Sequence, residues 1–152
     1  MSTSKRKNIR LAKQIYSNTN LIFSVTICTK DRKPIFSNQN WSENVLDTMK
    51  TVLFSENIEC FAYCLMPDHL HMLISPKNGN LVDFIARWKS YTANRLRKAG
   101  LERGCWQRSF YDHALRREED IEKAAQYIVN NPVRKKLVED WREYPFSWHK
   151  WQ

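Results

Sequence analysis

Apolar positions along the chain follow two periods, one near two and one near 3.6, and the changes between them lay out a succession of strands and helices. Residues 1–19 are polar, basic and without period, and read as an N-terminal arm. The run Leu21 to Thr29 is β-branched and aromatic, which predicts a buried strand ended by the turn-like Lys30-Asp31-Arg32-Lys33-Pro34. Asn40 with Glu43 three residues later has the form of a capping box, and Val45, Leu46, Met49, Val52 and Leu53 recur at helical spacing, predicting a helix over about 41–56. Ile58 to Leu65 and His69 to Ser75 predict a hairpin through the tight turn Met66-Pro67-Asp68.

A second helix opens at Asn80 and Asp83. It turns Leu81, Phe84, Ile85, Trp88, Thr92 and Leu96 inward until Gly100 stops it. Its other face carries Arg87, Lys89, Arg95, Arg97 and Lys98. Trp106 to Arg116 reads as a further strand, and Glu118-Glu119-Asp120 sets negative charge at the start of a third helix that runs into Asn131-Pro132. The order strand, helix, hairpin, helix, strand, helix predicts an α+β fold, a ferredoxin-like antiparallel sheet with helices packed on it. Residues 20–152 are expected to form one domain, with 141–152 an aromatic tail folded back on its body.

Composition narrows the partners. Twenty-five Lys and Arg against sixteen Asp and Glu leave +9, which favours a polyanion through release of phosphate counterions, although solubility alone accounts for such a charge equally well. Six Trp, seven Phe and six Tyr tilt the choice toward nucleic acid, because single-stranded bases stack on aromatic faces set among cations. Cys28, Cys60, Cys64 and Cys105 are expected to stay reduced, since no apolar stretch follows the first charges to mark secretion. On an extended strand Cys60 and Cys64 would share one face roughly 13 Å apart at about 3.3 Å per residue, too far for one tetrahedral ion, so core packing is expected of them. The apolar runs fall short of a membrane span, which predicts a soluble, cytoplasmic protein without a membrane partner. No G-x-x-x-x-G-K-[ST] stretch is present to hold a nucleotide cofactor.

His69 and His71 carry the candidate chemistry. Strand alternation throws both imidazoles to one face and Leu70, Met72 and Ile74 to the other, which makes half a metal site. Two hydrogen-bonded structural histidines satisfy the same spacing. On the third helix Tyr127 and Asn131 stand at i and i+4 and share a face, off the apolar stripe of Ile121, Ala124, Ala125 and Ile128. Tyr127 fits equally an ordinary aromatic at the core's edge, and Asn131 fits the N-cap of a short helix Val133 to Val138 that begins with Pro132.

Three segments in order resemble the REP-associated tyrosine transposases, of the single-tyrosine branch of the HUH nucleases. They are Met66-Pro67-Asp68-His69-Leu70-His71-Met72-Leu73-Ile74, Trp106-Gln107-Arg108-Ser109-Phe110-Tyr111-Asp112-His113 and Tyr127-Ile128-Val129-Asn130-Asn131-Pro132-Val133-Arg134. The likeness runs from Ile22-Phe23-Ser24-Val25-Thr26 to Tyr144-Pro145-Phe146-Ser147-Trp148, and it departs at Asp68, where an Asn is common in the family.

The resemblance implies a metal-dependent endonuclease and strand transferase for single-stranded or hairpin DNA. Its metal ligands would be His69 and His71, with Mg or Mn as the ion, and Tyr127 would be the nucleophile. A third polar ligand one helical turn on would be Asn131, with Asn130 as its substitute. The reaction would pass through a 5′-phosphotyrosine beside short palindromic hairpins, without a nucleotide cofactor. Arg10, Arg87, Arg95, Trp106, Arg108, Arg134 and Lys135 are the expected DNA contacts, and the resemblance favours a monomer over a dimer. A noncatalytic, domesticated hairpin-binding protein on the same fold is the alternative.

Overall fold

A computed structural model describes residues 21–151 except 78, 103 and 116–119. The predicted arm, with Arg10, and the charges at Glu118-Glu119 lie outside the described residues. Five antiparallel strands form one sheet: β1 (Phe23–Cys28), β2 (Ile58–Met66), β3 (His69–Pro76), β4 (Tyr111–Ala114) and β5 (Ser147–His149), in the order β4-β1-β3-β2-β5. The first four make the expected ferredoxin-like arrangement, and β5 is added at the β2 edge.

Helices α1 (Gln39–Ser55) and α2 (Leu81–Lys98) cover one face of the sheet, where Phe23, Val25, Ile27, Leu70, Met72 and Ile74 meet Met49, Phe84, Ile85 and Trp88 in the main core. Helix α3 (Ile121–Val129) covers part of the opposite face, packing Ala125 and Ile128 on Phe61, Ala62, Cys64 and Leu73. It is followed at once by the single turn α4 (Asn131–Arg134). Asn80 caps α2 through Oδ1, accepting from the amides of Val82 and Asp83 at 2.9 and 3.2 Å, and Gly100 at φ +110° ends it in the left-handed region. Asp120 caps α3 in the same way.

Several expectations shift. The cap of α1 is Asn38, not Asn40, with its side chain accepting from the Trp41 amide at 3.1 Å. The strand expected over 106–116 shrinks to β4, with Trp106 held by an isolated bridge to Thr29. The Lys89 Nζ explains the break, donating to the carbonyls of Gln107 and Ser109 at 2.7 and 2.6 Å and turning them away from a neighbouring strand. Ser109 adds a left-handed φ of 65°. A bulge between Cys60 and Ala62 reverses the alternation, so Cys60 packs against the main core and Cys64 against the second cluster instead of sharing a face. Both still pack as core side chains.

The aromatic tail does fold back. Tyr144 Oη donates to the Leu65 carbonyl at 2.6 Å, Trp148 stacks on Tyr63, and Trp151 stacks on Phe61. Among the described residues no helix is long and apolar enough to cross a membrane.

Candidate active site

β3 points its even-numbered side chains into the main core, and its odd-numbered ones to the face that α3 covers only in part. Leu73 lies under the helix, while His71 and His69 stand beyond that apolar cluster at the end of the strand, with ring centroids 4.8 Å apart and planes near perpendicular. Each imidazole spends Nδ1 on the protein. His69 Nδ1 lies 2.8 Å from Asp68 Oδ1, and His71 Nδ1 lies 3.0 Å from Thr26 Oγ1 on β1, its register partner. An ionised carboxylate only accepts, so His69 Nδ1 donates and Nε2 keeps its electron pair.

Burial pushes His71 down to about 3, aided by the charges of His69, Arg134 and Arg32, and both imidazoles are neutral at pH 7. For His69 burial lowers the value and outweighs the opposite pull of Asp68. Burial works to raise Asp68 as well, but hydrogen bonds from His69 and Arg32 overcome it and hold the carboxyl below its ordinary range.

The chain leaves α3 at Asn130 and turns Asn131 back over the pair. Asn131 is buried and its Nδ2 lies 3.1 Å from His69 Nε2. It is therefore not the N-cap of the following turn: that place belongs to Asn130, whose side chain makes no capping bond and donates instead to the Gln126 carbonyl at 2.8 Å. The short helix stops at Arg134 and does not reach Val138, and Lys136 takes a left-handed φ of 60°. Tyr127 is 64% exposed, and the Arg134 guanidinium lies 3.8 Å over its ring centroid. Thr26, Arg32, His69, His71, Tyr127, Asn131, Arg134 and Lys135 line one cleft of about 420 Å³.

Among the described residues no group of three His, Cys, Asp or Glu is arranged to hold a metal ion. A third protein donor beside the two histidines would therefore be the amide of Asn131, whose oxygen becomes available when the amide turns over. Two imidazoles and one amide would leave room on such an ion for other oxygen donors.

Residues 17–131 match the family described as "Transposase IS200 like". The chain belongs to that family. It is 32% identical over 89 residues to a REP-associated tyrosine transposase of Escherichia coli, covering 59% of this chain and 53% of that protein. A protein of Haemophilus influenzae, named provisionally as a REP-associated tyrosine transposase, is 34% identical over 101 residues, covering 59% and 57%. The chain thus spans little more than half the length of these curated relatives. A solved REP-associated tyrosine transposase bound to a REP hairpin superposes with a TM-score of 0.75 at 21% identity, covering 92% of this chain and 81% of that one, and shows the same fold.

In this IS200-like chain the expected site residues divide. His69, His71, Tyr127, Asn131, Arg134 and Lys135 come together in the cleft. Arg87 and Arg95 are exposed on α2, in the layer across the sheet, and Arg87 pairs with Glu56, its Nε donating at 2.9 Å. Arg108 is exposed and does not line the cleft. Trp106 joins the core: its ring packs on Phe36 and Trp88, and its Nε1 donates to Thr92 Oγ1 at 2.8 Å, which takes it away from base stacking.

Three contributors escaped the sequence reading. Thr26 carried a faint signal, as a polar residue alternating along an apolar strand. Asp68 stood out only as a departure from a family pattern. Arg32 gave none, because its approach to the cleft depends on left-handed backbone at Asp31 and Arg32, φ 57° and 55°.

Proposed function

We propose that this chain cuts and rejoins single-stranded DNA beside short hairpins, with Tyr127 as nucleophile and His69, His71 and Asn131 as the holders of a divalent ion. The observation that carries this reading is the meeting of those four side chains with three cations in one cleft. Two imidazoles make a donor set softer than Mg usually selects, so Mn is the better-matched ion and Mg the weaker one. A bound ion would lend its charge to the scissile phosphate and to the departing 3′-oxygen.

Arg32, Arg134 and Lys135 line the cleft and would hold backbone phosphates as point charges and forks. Tyr127, exposed at its mouth, is free to meet a phosphodiester laid across it. Attack by Oη forms the O–P bond as the P–O3′ bond breaks; the phenolic proton leaves to solvent and the 3′-oxygen gains one. The result is a 5′-phosphotyrosine and a 3′-hydroxyl. Because that product is still a diester, a second 3′-hydroxyl displaces the tyrosine and seals a strand with no nucleotide cofactor. The hairpin as substrate is supported by the names of the REP-associated relatives and by the fold shared with one bound to a REP hairpin.

Labelled single-stranded oligonucleotides carrying a hairpin, incubated with Mn²⁺ or Mg²⁺, are expected to give a covalent protein–DNA adduct on a denaturing gel. Tyr127→Phe is expected to give none. Equal adduct from both proteins would remove Tyr127 from the reaction, whereas hairpin binding without adduct under either metal would make the chain a noncatalytic hairpin binder.

A further inference from the structure

The end of the site that carries His69 is braced by a chain of contacts that continues away from the cleft. Asp68 uses both carboxylate oxygens: Oδ1 accepts from His69 Nδ1 at 2.8 Å, and Oδ2 accepts from Arg32 Nε and Nη2, each at 3.0 Å. Arg32 is itself fixed, with Nη1 3.4 Å from Cys28 Sγ and with its backbone in the left-handed turn after β1. That turn is bolted to the β2–β3 connection by its main chain. The Thr29 amide donates to the Asp68 carbonyl at 2.9 Å, and the Phe36 amide donates to the Pro67 carbonyl at 2.9 Å.

We infer that Asp68, anchored by Arg32, is a positioning residue that locks His69 with its proton on Nδ1 and its Nε2 electron pair in the cleft. This rests on the reading of His69 as a metal-holding residue and specifies how the chain prepares it. Asp68 meets His69 at Nδ1, the ring nitrogen away from the Nε2 that Asn131 faces, so its carboxylate serves the imidazole from behind. His71 provides the contrast within the same site. Its Nδ1 faces the hydroxyl of Thr26, which can donate or accept and therefore selects neither tautomer. Only one of the two imidazoles is held in a single protonation pattern by a charged partner. An Asn at position 68 could still accept from Nδ1, but it would lose the paired charge that draws Arg32 across the strand end.

The test is made on metal-free, ¹⁵N-labelled protein by two-bond proton–nitrogen correlation, which reads each histidine's tautomer, followed by Mn²⁺ titration calorimetry. Wild type is expected to show His69 as the Nδ1–H form. Asp68→Ala is expected to give a mixture of forms and to weaken Mn²⁺ binding about 10–100-fold, the usual cost of losing the partner behind a metal-binding imidazole. Asp68→Asn, isosteric but able to donate as well as accept, should also lose the single Nδ1–H form, and Thr26→Val should leave His69 unchanged. The inference is overturned if Asp68→Ala, melting as a folded protein, keeps the wild-type His69 tautomer. Should wild type itself take up no Mn²⁺, the metal site fails as a reading, and the tautomer comparison still decides the role of Asp68.

Discussion

The two faces of the sheet share their strands and differ in almost everything else. On the face under α1 and α2, Leu70, Met72 and Ile74 are wholly buried among Phe23, Val25, Ile27 and Trp88. On the other, the intervening residues of the same β3 run from apolar Leu73 beneath α3 to His71 and His69 past that cluster. The first face buys stability through area removed from water. The second leaves off its apolar cover where α3 ends, and the turn at Asn131 covers the histidines with an amide instead of a methyl group. A site thus arises where a helix is too short to close the layer, with a finished core behind it to hold the strand rigid.

This contrast can be attacked from either side. The largest effect is expected from Tyr127→Phe, which should abolish adduct formation while leaving unfolding free energy within about 0.5 kcal/mol, as for other exposed positions. Chemical denaturation beside the adduct gel would check both halves. The mirror experiment is Leu70→Ala, one residue from each histidine but facing the core. It should cost about 2–5 kcal/mol of stability, measured by urea unfolding, and any loss of adduct should follow the folded fraction.

A smaller effect concerns pH. His71 has a folded-state value near 3 against 6.5 when unfolded, so the unfolded chain binds more protons between those values. Stability should therefore rise with pH across that window and be lost as pH falls through it. His71→Gln should flatten the slope in urea midpoints taken from pH 4 to 7. The smallest effect separates the cations of the two layers. Arg134→Ala should lower the salt dependence of hairpin binding by about one phosphate contact, while Arg87→Ala, paired with Glu56 across the sheet, should leave it unchanged. Equal slopes for the two variants would erase the distinction between the layers.

Much of this architecture could be read along the chain. The helical spacing of Leu81 to Leu96, the cap at Asn80 and the stop at Gly100 depend on neighbours within a few residues, and they appear where the pattern puts them. So does the sharing of one face by His69 and His71, since alternation along a strand is local. The reading failed where a distant group intervened: Lys89 captured the carbonyls that would have extended β4, and a bulge undid the simple alternation at Cys60 and Cys64.

The same boundary runs through the site. Local periodicity set out the sheet, the helices and the paired imidazoles. Only the folded chain decided that Asn131 reaches His69 across 62 positions, that Thr26 meets His71 across 45, and that Arg32 grips Asp68 across 36. It also decided which of many basic residues share the cleft with Tyr127 and which belong to the far layer. Hydrogen bonds act over about 3 Å of space and are indifferent to distance along the chain, so no period in the sequence encodes them.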